Sequence, residues 1–339
     1  MTQAADPMLE ARRLMNGFRS YQLLVAACRL KLPDLVADGP RSASELAAAT
    51  GTHAPSLRRA LRGLAAWGVL VEDSDGRFRG TAISEVFRAD RAGLRNMVTM
   101  LSGEGYAAWG EVLYTLRTGK PAFDHVFGMT RWEKMAEDPE DAADFNTAMV
   151  EISRRVGRNF VERYDFADAR TVVDVGGGNG ALLEAVLKAR PQMSGILFDL
   201  APGLAGAADR MRSAGLEARV ELVEGSFFES IPSPADLYML KSIVHDWEEP
   251  RAMDILRACR SAMGEGSRLV LLERTMPERI DDPDAALGAV MSDLHMMVVL
   301  GGRERTPAEY GELLAESGLR MTRHIPLDPE FGVVEAVTA

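Results

Sequence analysis

Apolar positions in the first half of the chain recur every three or four residues, the period of a helix packed on one side. Leu57, Leu61 and Leu64 share one face of a helix predicted over Pro55–Trp67. Ahead of it, Ser42 and Glu45 have capping-box spacing at the start of a short helix, and Gly51-Thr52-His53 turns the chain. Gly68–Glu72 and Arg77–Gly80 read as two small strands around the turn Asp73-Ser74-Asp75-Gly76. From about residue 8 to residue 165, everything else reads as helix. The pattern changes at Thr171. Short apolar strands are predicted at 171–175, 195–199, 219–223, 236–241 and 268–273, with helices at 180–189, 203–214 and 250–263. Two last apolar runs, 320–327 and 332–337, are joined by only Asp328–Phe331. That link is too short for a crossover helix, so this pair is predicted antiparallel. Tyr164–Asp168 falls between the two styles and is the expected boundary.

At 339 residues, two domains are the natural expectation. Helix, turn, helix and hairpin in the first region form a winged-helix pattern, which invites a DNA-binding reading. Charge opposes it: residues 31–90 carry eight Lys/Arg and eight Asp/Glu, and the chain has a net charge of −11. Arg58, Arg59 and Arg62 cluster on the second helix, but such a trio is more often a solvated face. A scaffold is the better reading of this module, and the apolar helix Tyr21–Leu30 before it suits a homodimer interface. Neither nucleic acid nor an anionic membrane surface is an expected partner. The two cysteines, Cys28 and Cys259, sit far apart in helical patterns and read as buried free thiols. The segment MTQAADPMLEARRLM lacks a signal-peptide core, and no apolar run has transmembrane length, so a cytoplasmic protein is expected.

The stretch TVVDVGGGNG is the densest chemical signal. An apolar run ends at Asp174, the backbone turns through Gly176, Gly177, Gly178 and Gly180, and a helix follows: a strand, tight turn and helix start suited to a nucleoside-bearing ligand. Asp199 ends the next strand, where a carboxylate can accept from two ribose hydroxyls. A structural turn is the plainer alternative for the glycines. In open α/β sheets ligands gather beyond the strand C-termini. Those tips here are Asp174–Gly176, Asp199-Leu200, Gly225-Ser226-Phe227, Lys241–Trp247 and Glu273. His245, in LKSIVHDWEE, is placed to act as a general base, or else merely caps its turn with Asp246. Glu273 can orient an imidazole, or else pair with Arg274 at the surface. Glu304 in GGRERT either joins that group or belongs to an ion network with Arg303 and Arg305; Thr306 is placed to cap the next helix.

The runs VVDVGGGNG, FDL, GSFF, LKSIVHDWEE, LLERTMPE and DLHMMVVLGGRERT occur here in the order seen in class I S-adenosylmethionine-dependent small-molecule O-methyltransferases. The chain resembles their caffeate/acetylserotonin type, including the bacterial branch that tailors polyketides and phenazines, over nearly its whole length. The resemblance implies a Rossmann-like α/β sheet with a C-terminal antiparallel hairpin, plus a mainly helical, winged-helix-like dimerisation domain. It implies a dimerisation domain over residues 1–100, a helical connector over 101–167 and a cofactor-binding catalytic domain over 168–339. It makes His245 the base that removes an acceptor hydroxyl proton, with Glu273 and Glu304 as its flanking acids. Asp174, Gly176 and Gly178 would face the methionine part of the cofactor, Asp199 and Leu200 the ribose, Gly225, Ser226 and Phe227 the adenine, and Lys241 the same crevice.

Two positions depart from the family. Serine stands at 226, where aspartate is frequent, and histidine at 295, where asparagine is common near the acceptor. No metal is implied; Asp281, Asp282 and Asp284 read as solvated loop acids. The acceptor, a small aromatic molecule, would lie between the domains against Trp109, Phe123, Phe127, Met149, Asp246, His295 and Met296. Leu113, Phe145 and Met297 are further candidates, though such residues at helical spacing are usually core. Rival readings are a relative diverged toward hydroxylation, decarboxylation or pericyclic chemistry, a cofactor-sensing regulator, and a nicotinamide dehydrogenase. The antiparallel hairpin disfavours the last.

Overall fold

The computed structural model describes residues 6–91 and 93–339, so part of the polar reading of the N-terminal segment (residues 1–5) lies outside the described residues. The chain forms two compact units. One comprises the described residues up to Tyr106 together with Glu140–Ala148; the other comprises Ala107–Pro139 and Met149–Ala339.

In the first unit, the helices Ala43–Thr50 and Ala54–Ala66 pack on a small antiparallel sheet of β1 (Arg41–Ser42), β2 (Leu70–Glu72) and β3 (Arg77–Gly80), in the order β1-β3-β2. Leu57, Leu61 and Leu64 are buried with Leu46 and Phe78, so the apolar face predicted for the second helix is the one the core takes. Each such side chain contributes roughly 1.5–3 kcal/mol by leaving water. The capping box forms: Ser42 Oγ accepts from the Glu45 amide, and Glu45 Oε2 accepts from the Ser42 amide at 2.6 Å. β1 has no hydrophobic alternation to announce it; its pairing with Arg77 and Phe78 is supported by Arg77, whose guanidinium reaches the Pro40 carbonyl and Glu45. Arg58 and Arg62 both lie against Glu72, which offsets part of their charge at the surface.

The second unit is built on a seven-stranded sheet, ordered β6-β5-β4-β7-β8-β10-β9. β4 (Thr171–Val175), β5 (Ser194–Asp199), β6 (Val220–Glu224), β7 (Leu237–Lys241) and β8 (Arg268–Arg274) are parallel. β9 (Leu319–Pro326) and β10 (Phe331–Thr338) form the expected antiparallel hairpin, with β10 inserted between β8 and β9. The central strands are buried on both faces, as continuous apolar runs such as Leu269–Leu272 require. The helix expected over 203–214 is shorter, Ala207–Ser213. Its front end is displaced by Pro202, Gly203 and Gly206: Gly206 takes φ +74°, and a Cβ on Gly203 would stand 2.5 Å from the Asp199 carboxyl carbon. The long helix Pro283–Val299, capped by Asp282, and the helix Pro307–Glu316, capped by Thr306, bracket the GGRERT loop.

Candidate active site

The tips of β4, β5 and β7 carry the glycine loop, Asp199 and Lys241. Gly176 has φ +68°, and a Cβ there would meet Ile243 Cδ1 at 2.6 Å, so both backbone conformation and space require glycine. Gly178, at φ +58°, has no heavy atom within 4 Å of such a Cβ; beside it the backbone is bare and open. Asp199 spans the loop: Oδ2 accepts from the Gly178 amide at 2.8 Å and Oδ1 from the Leu200 amide at 2.7 Å. Two lone pairs remain, enough for a pair of ribose hydroxyls. Burial pushes the Asp199 carboxyl up, while those two amides oppose the shift. Asp174 is fully enclosed, its Oδ2 has no partner, and burial drives it up to about 7 although Lys241 counteracts. Lys241 is pushed down to about 8 by burial, against the pull of Glu273. Open backbone, a half-used carboxylate and an unsatisfied buried oxygen are what a bound nucleoside cofactor would complete.

Around this crevice, Phe227 meets Phe228 edge-on at 4.8 Å and Trp247 at 6.1 Å. Gly225 lies against Phe198, where a Cβ would be 2.6 Å from the ring. Ser226 Oγ accepts from the Phe228 amide at 3.3 Å and so is partly engaged in its own turn.

His245 sits on a short helical turn after β7 and is buried. Its Nδ1 is 2.9 Å from Glu304 Oε1 and 3.6 Å from Glu273 Oε2, and its Nε2 is 3.2 Å from Asp246 Oδ1. Glu273, wholly buried at the tip of β8, accepts the amides of Ile243 and Val244 through Oε1 and thereby holds the turn that carries the imidazole. It is not a surface partner of Arg274, which instead reaches Glu330. Glu304 Oε1 also accepts from Ser292 Oγ at 2.7 Å, and its amide donates to Asp293 Oδ1. Arg303 and Arg305, the alternative partners for Glu304, turn toward Glu249, and Arg303 also pairs closely with Glu309. Burial lowers the affinity of His245 for a proton, but Glu304, Glu273 and Asp246 together outweigh it and hold the imidazolium well above its ordinary range. Burial raises Glu273 to about 7, whereas the contacts of Glu304 with His245 and Ser292 outweigh its burial and keep it low. Ligand atoms of His245, Glu273 and Glu304 lie within 4.8 Å of one another, close enough for a cation. The Nδ1–Glu304 hydrogen bond already uses that space, and the arrangement is that of an imidazole held by acids.

Ser292 and Asp293 were not singled out in the sequence; two polar residues amid the apolar run of MSDLHMM were the available signal. Trp109 Nε1–H donates to His295 Nδ1 at 3.2 Å. Phe123 is fully enclosed with Ala108, Ala122, Val298 and Val299, and meets Phe127 at a tilt of 41° with centroids 4.6 Å apart; it is core. Met296 is buried, Met149 is half-buried, and Leu113 is exposed.

Residues 109–320 match the O-methyltransferase domain family, and residues 12–90 match the O-methyltransferase dimerisation domain. The chain is 37% identical to the phenazine O-methyltransferase PhzM of Lysobacter antibioticus, covering 96% of this chain and 94% of that one. It is 39% identical to the O-demethylpuromycin-O-methyltransferase of Streptomyces alboniger, covering 95% and 89%. The structure of NcsB1, an O-methyltransferase from neocarzinostatin biosynthesis in complex with S-adenosylmethionine and 2-hydroxy-5-methyl naphthoic acid, superposes with a TM-score of 0.83 at 35% identity, over 94% and 96% of the two chains. The chain belongs to the O-methyltransferase family and is an S-adenosylmethionine-dependent enzyme with a class I methyltransferase fold.

Proposed function

We propose that the protein methylates a hydroxyl group of an aromatic or polyketide-type natural product, with His245 as general base. The observation that carries this reading is the buried imidazole whose Nδ1 is committed to Glu304, which leaves Nε2 to take the acceptor's proton. Bound S-adenosylmethionine supplies an electrophilic methyl group on a sulfonium leaving group. The residues suited to hold it are Asp199 and Leu200 for the ribose, the bare backbone at Gly176 and Gly178, Gly225, Ser226 and Phe227 for the adenine, and Asp174 and Lys241 for the amino-acid end. Asp246 lies on the Nε2 side of His245, so the acceptor hydroxyl competes with it for that nitrogen. Raising the imidazole's proton affinity brings it nearer that of a phenolate, whose conjugate acid titrates near ~10, and favours transfer once the oxygen is in place. Orientation and removal of this proton are the protein's main tasks.

We assign pairing of two copies to residues 1–100, the connector to 101–167 and the chemistry to 168–339. Pairing is supported by the dimerisation-domain match and by the exposed apolar side chains Met8, Leu9, Leu14, Met15 and Phe18 on the helix Pro7–Arg29. A cytoplasmic setting accords with two buried free thiols. The test is incubation with labelled S-adenosylmethionine and a panel of phenolic polyketides and phenazines. Methyl incorporation on oxygen is expected, reduced about 10²–10⁴-fold in His245→Ala with cofactor binding intact. Transfer undiminished in that variant removes the base, and transfer only to nitrogen or carbon removes the hydroxyl acceptor.

A further inference from the structure

The helix Pro283–Val299 carries Ser292 and His295 three residues apart, on one face. Ser292 bonds to Glu304, the acid that holds His245, so His295 stands one turn along from the catalytic group, close enough for His245 to act on its charge. Its Nδ1 accepts the Trp109 indole N–H. An indole nitrogen only donates, so Nδ1 must be the bare nitrogen and the ring proton sits on Nε2. Nε2 has no hydrogen-bond partner among the described residues, and the ring keeps partial exposure. Burial, aided by Arg131, Arg274 and His245, pushes the imidazole down to about 4, so it stays neutral at pH 7 with one tautomer. The site thus holds two histidines of opposite character: a proton acceptor clamped by acids, and a neutral donor locked by an indole.

We infer that His295 Nε2–H is a specificity determinant that selects aromatic hydroxyls with a second oxygen, a carbonyl or carboxylate, adjacent to the reacting one. This rests on His245 being the base of the proposed reaction. In such acceptors the hydroxyl proton is tied internally to the neighbouring oxygen. Donation from His295 to that oxygen weakens the internal bond and frees the proton for His245. An acceptor lacking the second oxygen would cover the Nε2–H without satisfying it, which costs roughly 1–3 kcal/mol. The Trp109–His295 pair offers a donor only.

The test uses the full chain loaded with S-adenosylhomocysteine and titrated calorimetrically with 3-hydroxy-2-naphthoate and with 2-naphthol. The wild type is expected to prefer the naphthoate by about 10- to 100-fold. His295→Phe should bring the two affinities within about 3-fold, while His295→Gln, which keeps an N–H, retains most of the preference. The Gln variant also guards against a Phe variant that fails to fold. Equal affinities in the wild type, no binding of either probe, or a preference that survives in His295→Phe overturns the inference. The same preference should persist in His245→Ala. Selective binding without methyl transfer would count against the base and not against His295.

Discussion

Both ring nitrogens of His245 face carboxylates, and this decides how its rate should depend on pH. A base works only when unprotonated, and burial, which disfavours the imidazolium, is outweighed here by Glu304, Glu273 and Asp246. We therefore expect kcat/KM to climb through neutral pH into the alkaline range. Removing one acid lowers the imidazole's proton affinity, so Glu304→Gln should move the rising limb to lower pH even as the plateau falls; an unmoved limb, or one moved upward, contradicts the assignment. At this scale the sequence was informative wherever a residue type is scarce. Histidine at a strand tip and acids at the ends of apolar runs stood out because such positions seldom carry charge without a use. Ser292, Asp293 and the Trp109–His295 bond were illegible, since ordinary polar residues on a helix acquire meaning only from what the fold brings opposite them.

Elements were legible where one periodicity ran unbroken. The buried parallel strands, the closing hairpin and the capping boxes at Ser42 and Thr306 all follow from local rules. The helix expected over 203–214 starts late although its apolar spacing continues through Gly203, which packs against the Asp199 carboxylate, and Gly206, which takes φ +74° at the cap. β1 escaped because its strand character comes from its partner, β3. The Thr306 cap has a direct test. Thr306 Oγ1 accepts from the Glu309 amide while Glu309 Oε2 accepts from the Thr306 amide, anchoring the helix that follows the Glu304 loop. Thr306→Ala should cost about 1 kcal/mol, read as a fall in Tm of a few degrees, with cofactor affinity retained. A stability equal to wild type would show that the cap is dispensable.

Across the whole molecule, the change in hydrophobic period at Thr171 does not mark the division into two units: the division falls after Tyr106, with Glu140–Ala148 returning to the first unit and Tyr164–Asp168 inside the second, because a helix gives no sign in sequence of which core it joins. In the second unit, one buried acid on β10 gathers side-chain partners in addition to the strand's ladders with β8 and β9. Glu335 accepts from Tyr164, Thr322 and Arg323, with Arg268 at 3.4 Å. Burial raises its carboxyl, but these partners more than reverse that and hold it down to about 2. A carboxyl depressed from its ordinary 4.5 stabilises the fold above that pH, and the contribution is lost as pH falls from 4.5 toward 2. After solvent screening of the partly exposed Arg323, on the order of 1–2 kcal/mol is at stake. Chemical denaturation at pH 7 and pH 3 should show Glu335→Gln less stable than wild type at pH 7, with the gap narrowing at pH 3. The position of β10 has a temporal consequence as well. β8 bears Glu273, and its edge away from β7 is covered by β10, so a nascent chain presents that edge unpaired until residues 331–338 have emerged. Until β10 docks, the strand that carries Glu273 presents a free edge, the kind of surface that invites pairing with other chains.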